Sequence, residues 1–150
     1  MESYIPHKVR SLGISNVKLE VLQLLYQNSS IQPLVVQNRF YAASGYDVVL
    51  RNFCEENDIL YEAFWTLTGN PEILVSVPVR QVSDAVGVSR QVALYALVID
   101  QGIVPLNGTT NVERMRQDLE HVEKVKKWAL SNGAVWCEIV KGFEHSLEER

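Results

Sequence analysis

Leu12-Gly-Ile-Ser-Asn16, Val17-Lys-Leu-Glu-Val-Leu-Gln-Leu-Leu-Tyr26 and Pro33-Leu-Val-Val-Gln37 follow one another and decide the fold. The first belongs to a short apolar run, Ser11 to Ser15, that ends on hydroxyl and amide side chains. In the second, Val17, Val21, Leu24 and Leu25 recur at the spacing of one helical face. The third is continuous, β-branched and too apolar to turn one side to water. Strand, helix and strand in that order predict parallel strands joined by a crossover.

The alternation continues along the chain. Asp47 to Glu56 reads as a helix with Leu50, Phe53 and Cys54 inward and Arg51, Asn52, Glu55 and Glu56 outward. Ile59 to Trp65 is a third strand, and two helical stretches follow, Arg80 to Val86 and Ser89 to Asp100. Gly87 suits a helix C-cap and Ser89 an N-cap. Ile103-Val-Pro-Leu-Asn107 is a fourth strand, and helix resumes from Asn111. The tail, Leu119 to Arg150, reads as helix broken at Ser131-Asn-Gly133. In it Val122, Val125, Trp128 and Ala129 form the apolar side, and Glu120, Glu123, Lys124 and Lys127 are spaced for ion pairs on the other. The fold class is α/β, about four parallel strands with helices outside and no linker between domains.

Composition narrows the function. The chain has 150 residues, 47% apolar and 21% charged, as expected of one domain with a buried core. Fourteen Lys and Arg against eighteen Asp and Glu give a charge of −4, which argues against nucleic acid as the main partner. Cys54 and Cys137 stand far apart with no metal-ligand spacing, so neither zinc nor a disulfide framework is expected. No apolar stretch approaches the roughly 20 residues of a membrane helix, and no signal-peptide pattern precedes the first strand. The expectation is a cytoplasmic protein with no membrane partner. A complete (β/α)8 barrel, at roughly 250 residues, is excluded by length.

In parallel α/β sheets, ligands bind at the carboxyl ends of the strands. Ser15-Asn16, Gln37-Asn38, Phe64-Trp65 and Leu106-Asn107 all fall there. Taken singly, each pair is a cap or a polar loop. Together they bring polar and aromatic groups to one rim.

The segments around these residues resemble the aldo-keto reductases, (β/α)8 barrels that use NADP(H). Val9-Arg-Ser-Leu-Gly-Ile-Ser-Asn16 resembles the family's R-x-x-G-[IV]-S-N strand, Val35-Val-Gln37 its V-x-Q strand, and Leu50-Arg-Asn-Phe-Cys54 its L-x-x-F-C helix. Ala63-Phe-Trp-Thr-Leu67 stands where A-Y-S-P-L is usual. Val86-Gly-Val-Ser-Arg-Gln-Val92 is similar to the S-x-x-Q-V helix start, Gln101-Gly-Ile-Val-Pro105 to Q-G-x-x-x-P, and Glu113-Arg-Met-Arg-Gln-Asp-Leu119 to E-R-[IM]-x-E-N-[LV]. The match runs in order from about Lys8 to Leu119 and corresponds to strands five to eight, the C-terminal half of the barrel.

The resemblance implies a single NADP-dependent oxidoreductase-like domain over residues 1–150, truncated on its N-terminal side, and a dinucleotide site. Ser15, Asn16 and Gln37 match residues that hydrogen-bond the nicotinamide carboxamide, and Phe64 the aromatic that stacks on its ring. Trp65, Thr66 and Leu67 match the loop along the pyrophosphate; Arg114, Gln117 and Asp118 match the residues around the 2′-phosphate and adenine. The chain departs from the pattern in three places. Phe64 replaces the usual Tyr, Asp118 the usual Asn, and Pro105-Leu-Asn-Gly-Thr-Thr110 lacks the Lys that meets the 2′-phosphate, leaving Thr109, Thr110 and the following helix start as anion binders.

The family's Asp, Tyr, Lys and His tetrad lies on strands one to four. None of Tyr4, Tyr26, Tyr41, Tyr46, Tyr61 and Tyr95 sits in its Tyr motif, so no catalytic residue is assigned and the chain alone is expected to be inactive. The resemblance thus implies a carbonyl substrate only once the barrel is completed. Completion would come from a complementary N-terminal half, and self-association through the open barrel edges is the alternative. A non-catalytic half-barrel binding a dinucleotide or a partner chain, and a small unrelated α/β domain, are the competing readings.

Overall fold

The computed structural model describes residues 1–148. Glu149 and Arg150, the end of the tail read as helical, lie outside the described residues. Four strands form one parallel sheet in chain order, β1 (Gly13–Ser15), β2 (Val35–Arg39), β3 (Leu60–Phe64) and β4 (Ile103–Pro105). Between and after them run α1 (Leu19–Asn28), α2 (Val48–Glu56), the short α3 (Pro71–Leu74), α4 (Val77–Val86), α5 (Arg90–Asp100), α6 (Val112–Ser131) and α7 (Gly133–Glu148). This is the expected half of a (β/α)8 barrel.

The register sorts side chains by parity. Val36, Tyr61, Ala63 and Ile103 point to the helices and are buried. Helix α5 lies deepest: Val92 through Val98 are all buried, and each Val or Leu enclosed this way contributes about 1.5–3 kcal/mol. Gly87, at φ +67, ends α4, and the Ser89 hydroxyl caps α5 by accepting from the Val92 N–H at 3.2 Å, both as read from the sequence. Helix α7 buries Ile139, Phe143 and Leu147 against α4 and α5. No single helix among the described residues is long and apolar enough to cross a membrane.

Several expectations are corrected. The strands do turn one face to water: Gly13, Ser15, Arg39, Leu60 and Val104 are exposed on the side away from the helices. In a (β/α)8 barrel that side of the strands faces the lumen. Helix α1 presents Leu19, Leu22 and Tyr26 to the core, while Val21, Leu24 and Leu25 are exposed. The helix carries two apolar stripes, and only one faces this sheet. Arg51, read as outward, is half-buried because its Nε donates to the Tyr46 carbonyl at 3.0 Å. Helix α4 starts three residues early, since Pro78 fits its first turn. On α6 the ion pairs join Arg116 to Glu113 and Glu120 at 2.8 and 3.2 Å, not the Glu and Lys residues of the next turns.

One buried amide links the first three strands. After Ser15 the backbone turns through a left-handed Asn16 (φ 54), and β1 stops pairing. Asn38 continues the ladder with its side chain: Oδ1 accepts from the Val17 N–H at 3.0 Å, and Nδ2 donates to the Val17 carbonyl at 2.8 Å. Nδ2 also donates to Asp47 Oδ2 at 2.8 Å, which accepts a second bond from the Tyr61 hydroxyl at 2.8 Å. Asp47 closes a run of three left-handed residues, Gly45, Tyr46 and Asp47 at φ 58, 52 and 52. For Tyr and Asp that conformation costs about 1 kcal/mol or more each. It is held by the Asp47 bonds and by the Tyr46 ring buried 4.9 Å from Phe40.

Asn38→Ala is expected to cost about 3 kcal/mol in urea unfolding, because it strands both buried polar groups of Val17. Asn38→Asp, nearly the same shape, is expected to cost more, since it cannot donate and faces Asp47. Equal urea midpoints for wild type and Asn38→Asp would contradict this account.

Candidate functional site

The open face carries the residues selected from the sequence. Across it Ser15, Gln37, Glu62 and Val104 stand in one row, and one step toward the carboxyl ends Arg39 pairs with Phe64. Ser15 Oγ accepts from Asn16 Nδ2 at 2.8 Å, and both residues are exposed at the rim. The left-handed turn that exposes Asn16 is the one secured by Asn38 through Val17. Gln37 Nε2 donates to Glu62 Oε2 at 2.9 Å.

The rings at the rim are engaged by a cation. The Arg39 guanidinium carbon lies 4.2 Å from the centre of Trp65 and 5.8 Å from that of Phe64. Trp65 is exposed and left-handed (φ 64). Thr66 is buried, its hydroxyl donating to the Ala63 carbonyl at 3.3 Å, so its side chain is not presented at the rim. Leu67 packs against the core. This loop is drawn tight by Asn70, whose Nδ2 donates to the carbonyls of Phe40 at 2.7 Å and Thr66 at 3.1 Å. At Gly69 an added Cβ would lie 2.9 Å from the Trp65 carbonyl oxygen, so only glycine fits.

The other group of residues surrounds the start of α6. Asn111 caps the helix, accepting from the Arg114 N–H at 3.0 Å. Thr109 Oγ accepts from the Asn111 N–H at 3.1 Å, which engages that backbone N–H and leaves the hydroxyl its own donor. Gln117 donates to Glu113 at 2.8 Å, and Asp118 accepts from Asn107 at 2.6 Å. Arg116 is held by two carboxylates, whereas the Arg114 side chain is exposed and makes no ion pair among the described residues. Arg114 is thus the cation of this turn that remains open to an anion.

Outside the carboxyl ends of β1 and β2 a cleft of about 700 Å3 is lined by Asn16, Lys18, Asn38, Arg39, Ser44 and Asp47, among others. A second cleft, of about 390 Å3, lies under the opposite ends of β3 and β4, between α2 and α7, away from the rim. No group of three His, Cys, Asp or Glu side chains among the described residues could hold a metal ion.

The sequence reading placed Asn38 beside Gln37 at the rim, whereas the structure buries its amide against Val17 and Asp47; Asn70 and Glu62 it missed. Glu62 had a visible signal, a lone carboxylate in an apolar strand, two residues before Phe64 and therefore on the same face. Asn38 and Asn70 looked like ordinary loop amides, and only burial distinguishes them.

Ionisation at the back of the sheet runs against acid catalysis. Burial, then the charge of Asp47 and its hydrogen bond, raise Tyr61 far above the ordinary range of tyrosine. Burial, then Asp118, push Tyr95 up to about 12, and burial, then Asp47, push Cys54 up to about 11. A general acid tuned for neutral pH requires the opposite shift.

No family model matches the chain. It is 28% identical over 127 residues to the NAD(P)H-dependent 6′-deoxychalcone synthase of Glycine max, covering 81% of the chain and 39% of that protein. Among solved structures, aldose reductase from Giardia lamblia aligns with 96% of the chain and 47% of its own, at TM-score 0.71 and 21% identity. A thermostable aldo-keto reductase in complex with epalrestat aligns with 97% and 51%, at TM-score 0.74 and 19% identity. The chain spans 38% to 48% of the length of the curated relatives it matches. The fold is therefore that of a partial (β/α)8 barrel. It is, more narrowly, the fold of about half an aldo-keto reductase.

Alkaline stability tests the buried network. Tyr61, Tyr95 and Cys54 are neutral when protonated, and folding raises all three. Their contribution is complete below the unfolded values of 10.0 for Tyr and 9.0 for Cys. It is lost as pH rises toward the folded values, because the unfolded chain releases these protons first. Urea midpoints are expected to fall above about pH 9–10. Tyr61→Phe is expected to lower stability by about 1–2 kcal/mol at neutral pH and to make the alkaline decline shallower. An unchanged alkaline slope in that variant would rule out Tyr61 as its main source.

Proposed function

We propose that these residues form the cofactor-binding half of an NADP(H)-dependent oxidoreductase of the aldo-keto reductase type, which interconverts a carbonyl and an alcohol. The observation that carries the reading is the placement of Ser15, Asn16, Gln37 and Phe64 at adjacent strand ends, on and around the uncovered face. An amide-bearing ring needs donors and acceptors beside a flat apolar surface, and this rim supplies both. Arg114 adds an exposed guanidinium suited to a 2′-phosphate, with Gln117 and Asp118 on the next turn beside the adenine. Trp65, Thr66 and Leu67 form the loop along the pyrophosphate. The name of the soybean relative, NAD(P)H-dependent, supports the cofactor.

The proton donor of this chemistry belongs to a complementary β/α half. Hydride addition to a carbonyl leaves negative charge on oxygen, which requires a nearby acid. The exposed α1 stripe Val21, Leu24 and Leu25 beside edge strand β1, and the lumen-facing Leu60 and Val104, are the surfaces such a half would cover. A cytoplasmic location accords with this role. A second reading, a non-catalytic half-barrel that binds a dinucleotide or a partner chain, is favoured by Arg39, whose charge sits over the Phe64 ring that would otherwise be free to stack.

In fluorescence titration, NADPH is expected to bind more tightly than NADH, and Arg114→Ala to weaken NADPH by about 1–3 kcal/mol while sparing NADH. Equal wild-type affinities for the two would remove the 2′-phosphate role. The purified chain is expected to reduce simple aldehydes no faster than background, since loss of a general acid alone costs about a hundred- to ten-thousand-fold. Co-expression with a segment supplying the other four strands is expected to restore turnover. Robust turnover by the chain alone would refute the assignment of the acid to another segment.

A further inference from the structure

Glu62 belongs to no motif discussed above, yet it decides how Gln37 faces the site. Both side chains project from neighbouring strands onto the open face, in direct register, and are half-buried. A carboxylate only accepts hydrogen bonds, so the 2.9 Å contact with Gln37 commits the NH2 end of the amide to Glu62. The carbonyl oxygen Oε1 is then turned away from Glu62 and left as an acceptor. With a neutral or apolar neighbour, the Gln37 amide could flip and offer a donor there instead.

We propose that Glu62 is a positioning residue that locks Gln37 as a hydrogen-bond acceptor, so that the site selects a ring substituent carrying N–H donors, a carboxamide rather than a ketone. The inference rests on the NADP(H) reading and adds to it a source of selectivity at the ring end of the dinucleotide. Glu62 does not touch the ligand; it acts through Gln37.

The test compares three ligands by titration: NADPH, its reduced 3-acetylpyridine analogue, in which a methyl group replaces the NH2, and 2′,5′-ADP, which lacks the ring. Wild type is expected to prefer NADPH over the acetyl analogue by about five- to tenfold, the effect of one hydrogen bond. In Glu62→Gln and Glu62→Leu that ratio is expected to approach one, with 2′,5′-ADP affinity unchanged. Glu62→Gln keeps the size and polarity of the side chain and serves if the Leu variant does not fold. A preference retained in the folded variants overturns the positioning role while leaving the NADP(H) reading intact. So does equal weakening of all three ligands, which indicates a merely structural role. Absence of binding by both NADPH and 2′,5′-ADP to wild type overturns the two together.

Discussion

The amide of Asn38 does with one side chain what another residue of strand would do with its backbone. It satisfies both the N–H and the C=O of Val17 just where β1 has turned away, and it passes a third bond to Asp47. Removing that amide leaves buried polar groups without partners, a larger penalty than the net gain from forming the bonds. The left-handed Asn16, the strained run at Gly45 to Asp47 and the start of α2 all depend on this point. So does the rim, because the turn that exposes Ser15 and Asn16 is the turn that Asn38 secures.

The two faces of the sheet divide the work. Behind it, tyrosines and a thiol are buried with their protons held, and Asp47 accepts from two neutral donors. In front, hydroxyl, amide, carboxylate and guanidinium groups meet solvent on a surface that also carries Leu60 and Val104. At the far end, Arg116 is neutralised on its own helix while Arg114 makes no ion pair among the described residues, so two arginines on one turn have different capacities for an anion.

Strand order, parallel pairing and the helix ends at Gly87, Ser89 and Ser131 were legible because they follow from local chemistry: β-branched runs, a left-handed cap and a hydroxyl cap. The resemblance supplied the register of the rim. The inward face of α1 was not legible, since Leu19, Leu22 and Tyr26 compete with a second apolar stripe of equal strength, and periodicity cannot say which stripe has a neighbour. Arg51 defeated a charge-outward rule because a backbone carbonyl waited for it. The roles of Asn38, Asn70 and Glu62 depend on partners between four and thirty residues away in sequence, which no local pattern reports.

Asn70 has a consequence for how this surface can diversify. Its amide fastens the loop after β2, at Phe40, to the loop after β3, at Thr66, so the two loops form one mechanical piece. An insertion in either would break the fastening and disturb both, and Gly69 leaves no room for a larger residue beside it. The loop from Leu106 to Thr110 is tied to β3 only at its start, where the Leu106 N–H donates to the Ala63 carbonyl at 2.7 Å; among the described residues its side-chain bonds reach Asn111 and Asp118. A change of length beyond Leu106 therefore disturbs no fastening between strand-end loops, whereas one at the ring end of the rim disturbs two loops at once.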